Sequence, residues 1–275
     1  MNENIKWIAA AVAVVGLSIG AVLYFGHVRK APQPVPAESA VNLPPPMPAA
    51  EEPAIKHPLP SPPKSAPLPS LAESDQPVQK AFADLLGNES VQRFIRPENL
   101  VRHIVVTVDN LPEQKVAQRL RPVLPVTGMF GVGGSEDEPV LDASNYARYE
   151  PMLNLLRSTD TQALIAAYTR YYPLFQEAYE SLGHPPEYFN DRLVEVIDHL
   201  LEAPDVQGPI ALTRPGVLYE YADPKLEALS AGQKVLIRMG SANAATVKTR
   251  LRELRSALLA ESAGAAQASP PPPPN

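Results

Sequence analysis

Apolar and polar positions follow three different rhythms along this chain. From Trp7 to Phe25 the sequence reads WIAAAVAVVGLSIGAVLYF, 19 positions without a charge. A helix there is about 28 Å long at roughly 1.5 Å per residue, enough to cross a hydrocarbon core of about 30 Å. From Ala31 to Pro69 the pattern is lost among Pro, Ala and small polar residues, a composition that cannot build a core and stiffens towards polyproline II. From Asp75 onward a helical period takes over.

Val78, Phe82, Leu85 and Leu86 recur at helical spacing before a Gly87 stop. The stretch 97–111 is ambiguous: Leu100, Ile104, Val108 and Leu111 keep a helical period behind Pro97, while the run of Val and Ile favours a strand. We read it as helix. Gly128 to Val132 and Val140 to Leu141 flank a Gly-rich polar turn and predict a small hairpin or surface loop. Asp142 or Ser144 caps a helix through Arg157, and Thr159 or Asp160 caps the next, with Leu164, Ile165 and Tyr168 on its apolar side. Pro173 is expected to end or kink that helix and open another, carrying Leu174, Phe175, Ala178 and Leu182 to Gly183. Pro185 and Pro186 then open a helix to about Glu202 with Phe189, Leu193, Val196, Ile197 and Leu200 inward. A second hairpin is expected around Arg214-Pro215-Gly216. Helices at Gln233 to Met239 and Asn243 to about Leu259 close the domain, the last with Val247, Leu251, Leu254 and Leu258 as its stripe. The expected fold class is mainly α: a multi-helix globular domain over residues 70–260 with one or two minor β-hairpins. A short segment 1–6, a transmembrane helix 7–25 and a Pro-rich disordered linker 31–69 precede it, and a Pro-rich disordered tail 261–275 follows.

Composition supports that division. Of 33 Pro in 275 residues, 14 lie in the linker and five form the run Pro270 to Pro274, leaving the domain near ordinary usage. The absence of Cys excludes disulfides, Cys-ligated metal and a thiol nucleophile. A net charge of −6 with a pI near 5.5 gives no whole-chain reason to expect nucleic acid as a partner.

The apolar segment carries Trp7 and Tyr24 at its ends, as the two membrane interfaces favour. A cleaved signal peptide would need a small-residue site just after the apolar run, and the nearest, Val35-Pro36-Ala37, is a dozen residues away. A retained anchor is therefore the better reading. Lys6 with the terminal amine balances Arg29 with Lys30, so positive charge does not set the orientation. A short N-terminus before an uncleaved anchor reads as cytoplasmic, with the domain in a bacterial periplasm. Gly16 and Gly20 form a GxxxG spacing through which two such helices could pack as a homodimer.

On the expected helix after Pro186, Glu187, Asp191, Glu195, Asp198 and Glu202 fall on one side. A divalent cation or a basic partner would suit such a stripe, but a solvated polar face is the ordinary explanation, and the repeated Glu-x-x-His of a di-metal bundle is missing. Seven Tyr between Tyr146 and Tyr188, interleaved with Arg148, Arg157 and Arg170, could line a groove for a sugar or peptide, although Tyr rings more often pack in cores. Lys248, Arg252 and Arg255 form a basic side on the last helix; it could pair with the acidic stripe or meet anionic lipid, and a solvated face is again the ordinary reading. There is no Gly-x-Ser-x-Gly, no His-Glu-x-x-His and no P-loop in the Gly131 to Gly134 cluster. No cofactor is expected, and the reading leans away from an enzyme. If the domain does hold a ligand pocket, the candidate residues are Arg148, Tyr149, Tyr179, Asp191, Arg192 and His199.

Several short stretches carry a resemblance: Val108-Asp109-Asn110-Leu111-Pro112, Asn145-Tyr146-Ala147-Arg148-Tyr149, Pro173-Leu174-Phe175-Gln176-Glu177-Ala178-Tyr179, Phe189-Asn190-Asp191-Arg192-Leu193, Ile197-Asp198-His199-Leu200-Leu201, Tyr219-Glu220-Tyr221-Ala222-Asp223-Pro224, Ala231-Gly232-Gln233-Lys234 and Arg238-Met239-Gly240. Together they resemble a bacterial family of single-pass envelope proteins known as domain of unknown function 3014. The resemblance implies an inner-membrane protein with this anchor, spacer and domain, and it implies no activity, cofactor or catalytic residue. The expectation is a membrane-tethered interaction or scaffold domain whose partner is an envelope protein or cell-wall component. The alternative is an enzyme or small-ligand receptor with a Tyr/Arg/Asp-lined pocket.

Overall fold

The computed structural model describes residues 54–61 and 67–268. The expected anchor at 7–25 with Gly16 and Gly20, most of the linker and the final Pro run lie outside the described residues. Among the described residues, no helix is long and apolar enough to cross a membrane.

Ten α-helices and two small antiparallel hairpins make up the described domain. The first three helices are α1 (Asp75–Leu86), α2 (Asn88–Phe94) and α3 (Leu100–Asn110). In α3 the helical period prevails over the β propensity of Val and Ile because Leu100, Val101, Ile104, Val105 and Val108 are all buried in the main core. Its N-terminus is capped from a distance: the Asp75 carboxylate accepts N–H bonds from Asn99 (2.7 Å) and Leu100 (2.8 Å).

The next pair, α4 (Ser144–Ala147) and α5 (Glu150–Ser158), replaces the single helix expected to Arg157. α6 (Thr161–Glu180) starts at an Asp160 cap, whose side chain accepts the Ala163 N–H at 2.7 Å. It continues through Pro173 instead of dividing there. An interior Pro removes one backbone bond and costs about 3 kcal/mol, but Leu164, Ile165 and Tyr168 before it and Leu174, Phe175, Ala178 and Tyr179 after it bury into the same core, so one helix is retained.

α7 (Phe189–Leu201) begins later than the two prolines predicted. Its entry is set by α6: Gln176 accepts the Phe189 N–H at 2.9 Å and donates to the Glu187 carbonyl at 2.8 Å. After the short α8 (Pro224–Glu227) come α9 (Ala231–Arg238) and α10 (Ser241–Ala268). α10 passes the expected end near Leu259 and takes in part of the expected tail, because AESAGAAQA is rich in Ala and no Pro intervenes before Pro270. Gly240 turns α9 into α10 at φ 83°, and a Cβ there would meet the Tyr146 ring at 2.9 Å.

Both hairpins form. β1 (Val132–Gly134) pairs with β2 (Pro139–Leu141), and β3 (Leu212–Thr213) with β4 (Glu220–Tyr221). They meet where the Leu141 N–H donates to the Ile210 carbonyl at 2.8 Å. A second small core of Leu141, Ile210, Leu212, Tyr221 and Ile237 lies beneath them, and Ile237 links it to α9.

Candidate binding face on α7

The N-terminal half of α7 gathers several polar side chains that meet other elements: Asn190, Asp191, Arg192 and Glu195. Asn190 is fully buried. Its Oδ1 accepts the Tyr168 hydroxyl at 3.2 Å and its Nδ2 donates to the His57 carbonyl at 2.7 Å. Asp191 accepts two backbone N–H bonds, from Lys56 at 3.0 Å and His57 at 2.8 Å. Glu195, one turn on, accepts Lys56 Nζ at 3.2 Å. Residues 54–61 thus lie along α7, with Leu59 packed on the main core. The linker expected to run free to Pro69 is docked over this stretch, because two N–H groups and a carbonyl that a tether would give to water are taken by side chains here.

Arg192 points to α3. Its Nε donates to Asp109 Oδ1 and its Nη2 to the Asp109 carbonyl, both at 2.8 Å. Asp109 also lies 3.3 Å from His184, which in turn is 3.6 Å from Glu187. Tyr179 stacks on His184 with ring centroids 4.5 Å apart and donates its hydroxyl to Glu187 at 3.0 Å. Burial, and then the Glu187 hydrogen bond, push the Tyr179 phenol well above its usual range. Burial likewise pushes Tyr172 up to about 12. These phenols are therefore neutral donors at physiological pH.

The six candidate residues fall into three sets. Tyr179 and Arg192 come together around Asp109 and His184, and Asp191 sits beside Arg192 but faces residues 56–57. Arg148 belongs elsewhere: it ties the loop before β1, donating to the carbonyls of Thr127 (3.2 Å) and Gly128 (2.9 Å) and to Asn145 Oδ1 (3.0 Å). Tyr149 is buried near Arg238 and Tyr221, and burial raises its phenol. His199 meets the Ser230 hydroxyl at 2.9 Å, and its carbonyl accepts the Gln233 side chain at 3.0 Å. Among the described residues no hydrogen bond, ion pair or ring contact joins these three sets, and no group of three or more His, Asp or Glu is placed to hold a metal ion.

The acidic stripe stays open to water, with Glu187 60%, Glu195 52% and Asp198 44% exposed, and four of its five carboxylates also meet partners within the domain. Glu187 takes the Tyr179 hydroxyl, Asp191 and Glu195 take residues 56–57, and Asp198 pairs with Arg255 of α10 at 2.5 and 3.0 Å. On the basic side of α10 Lys248 and Arg255 are engaged while Arg252 is exposed, and Arg250 on another side of the helix is engaged as well. Lys248 donates to the Ala203 carbonyl, and Arg250 to Glu253 and the Thr159 carbonyl. Asn190, Asp109, His184 and the Lys56–His57 pair are not among the six candidate pocket residues. The signal for the last was weak: Ile55 and Leu59 flank a basic pair inside a Pro-rich stretch.

Many of the short stretches quoted above meet in space. The N-terminus of α9 docks on the end of α3, with N–H bonds from Ala231 to the Glu113 carbonyl (2.6 Å) and from Gly232 to the Leu111 carbonyl (3.0 Å). Lys234 Nζ binds Glu227 at 2.7 Å, and its carbonyl accepts the Tyr221 hydroxyl at 3.1 Å.

The fold and this face define a mainly helical domain in which α7 joins α3, α6, α10 and the Pro-rich segment 54–61. The chain belongs to the family described as "Protein of unknown function (DUF3014)", which matches residues 100–255, from the first residue of α3 into α10. No curated protein and no solved structure matches the chain.

Proposed function

We propose that this protein is a membrane-tethered interaction domain of the bacterial envelope, held in the periplasm by the uncharged segment Trp7 to Phe25 and recognising a protein partner. The observation that carries the interaction reading is the docking of residues 54–61. Asp191 and Asn190 hold a bent stretch of chain by its backbone, through two N–H groups and one carbonyl, and main-chain bonds of this kind give affinity whatever side chains the segment carries. The anchor reading rests on length and lack of charge in the apolar segment.

The test is a photo-crosslinking residue placed at exposed Glu202 of the full-length chain in living cells, followed by fractionation. The expected result is a discrete adduct with one envelope protein, recovered with the inner membrane and protected from protease until the outer membrane is opened. Recovery in the soluble fraction would reject the tether, and absence of any adduct from this and neighbouring positions would reject the interaction domain.

A further inference from the structure

We infer that the Asn190–Asp191–Glu195 face of α7 is a recognition site for a Lys-x-Pro-Leu segment of a partner protein, bent at its first two residues as the chain's own Lys56-His57-Pro58-Leu59 is, which occupies the face and holds it closed. The inference deepens the interaction reading and rests on it, but it does not depend on membrane attachment.

The requirements of the site can be read from its occupant. Asp191 accepts two consecutive backbone N–H groups at 3.0 and 2.8 Å, so both residues must be other than Pro. Asn190 Nδ2 needs a carbonyl from the second of them, supplied at 2.7 Å by His57. Pro at the next position fits because no N–H is required there. Leu59 then reaches the main core. The Lys56–Glu195 pair is exposed on both sides, 68% and 52%, so it sets preference for a basic residue and adds little strength.

Asn190 makes the face more than a patch of charge. It is 0% exposed, and its Oδ1 is already committed to Tyr168. If residues 56–57 leave, its Nδ2 and the Asp191 carboxylate lose their main-chain partners together and turn to water. A second backbone bent in the same way can restore all three bonds at once. In the intact chain the tethered segment competes at an effective concentration on the order of millimolar, so a partner must exceed that or the segment must first be pulled away.

The experiment uses the full-length chain and a fluorescent peptide of residues 54–61. Lys56→Pro with His57→Pro removes both N–H donors from the resident segment and leaves α7 intact. Because the chain has no Cys, a single spin label at Ser61→Cys reports whether the segment is released. The expected results are a mobile label in the double variant, an immobile one otherwise, and peptide binding at least about tenfold tighter to the double variant than to the chain with the unaltered segment. Asp191→Ala added to the double variant should lose that binding with helicity and melting retained; Asp191→Asn, which keeps the shape and one acceptor, should weaken it less. Equal peptide affinity for both chains, no binding to a chain whose label is mobile, or a label that stays immobile without the two N–H groups would each overturn the inference. A chain that forms its cellular adduct yet ignores the peptide keeps the interaction domain and loses this site.

Discussion

Gly232 lies in the first turn of α9, where that helix is pressed against α3 and α7. A Cβ at this position would sit 2.4 Å from Leu200 Cδ2 and 3.2 Å from the Leu111 carbonyl oxygen. Alanine would gain at most about 1 kcal/mol of helix propensity. Against that, Leu200 is 1% exposed and has no open space into which to swing. The alternative is for α9 to retreat, which would lengthen the Gly232 and Ala231 bonds to the Leu111 and Glu113 carbonyls. Overpacking of this kind costs roughly 1–3 kcal/mol, so Gly232→Ala should lose about 1–2 kcal/mol net and lower Tm by about 2–8 °C in a domain of this size. Urea unfolding and calorimetry of the single variant would measure this. Leu200→Ala alone should cost about 2–5 kcal/mol, but less when Gly232→Ala supplies a methyl to the void. A double-mutant cycle coupling the two by about 1 kcal/mol or more is expected. A Gly232→Ala protein at least as stable as the parent, or strictly additive costs, would refute the close contact on which the reasoning rests.

Asp109→Ala and Arg192→Ala should each cost about 2–3 kcal/mol, with a favourable coupling of about 1 kcal/mol or more, because the pair is only partly exposed and doubly bonded; zero coupling in urea unfolding would remove it as the α3–α7 clasp. Asp160→Ala should lose about 1 kcal/mol with the α6 cap, checked by the same assay, and Asp160→Asn should restore most of it. Burial pushes the Tyr221 phenol from its ordinary 10.0 up to about 12. Its ionised form is thus penalised in the folded state: stability is intact below pH 10 and falls as pH rises from 10 towards 12, by a few kcal/mol from this group. Tyr221→Phe should flatten that part of the pH–stability profile, and an unchanged slope would show that other groups cause it. Burial lowers His103 below its ordinary 6.5, so acidification below about pH 6.5 should destabilise the parent more than His103→Gln; equal acid slopes would contradict this.

Periodicity with turn and cap chemistry determined the helical class, the places of the two candidate hairpins, a cap at Thr159 or Asp160 and most inward-facing residues, because each of those features is decided within one or two turns of chain. The hydrophobic stripe of α3 was legible even against its β-prone Val and Ile. What periodicity could not decide was where local rules would be overruled. Pro173 stays inside α6 because residues on both sides share a core, and α7 starts at Phe189 because Gln176, thirteen positions earlier, binds its first N–H. The same limit applies to the candidate site. Six residues chosen by type separate into three sets once the chain is folded, while Asn190, Asp109 and the Lys56–His57 backbone enter as working parts. An Asp on an amphipathic helix looks the same in sequence whether it faces water or holds a peptide main chain. Only tertiary structure brings residues 56–57 to Asp191, and it is that juxtaposition, across 135 positions of sequence, that turns a solvated carboxylate into a binding group.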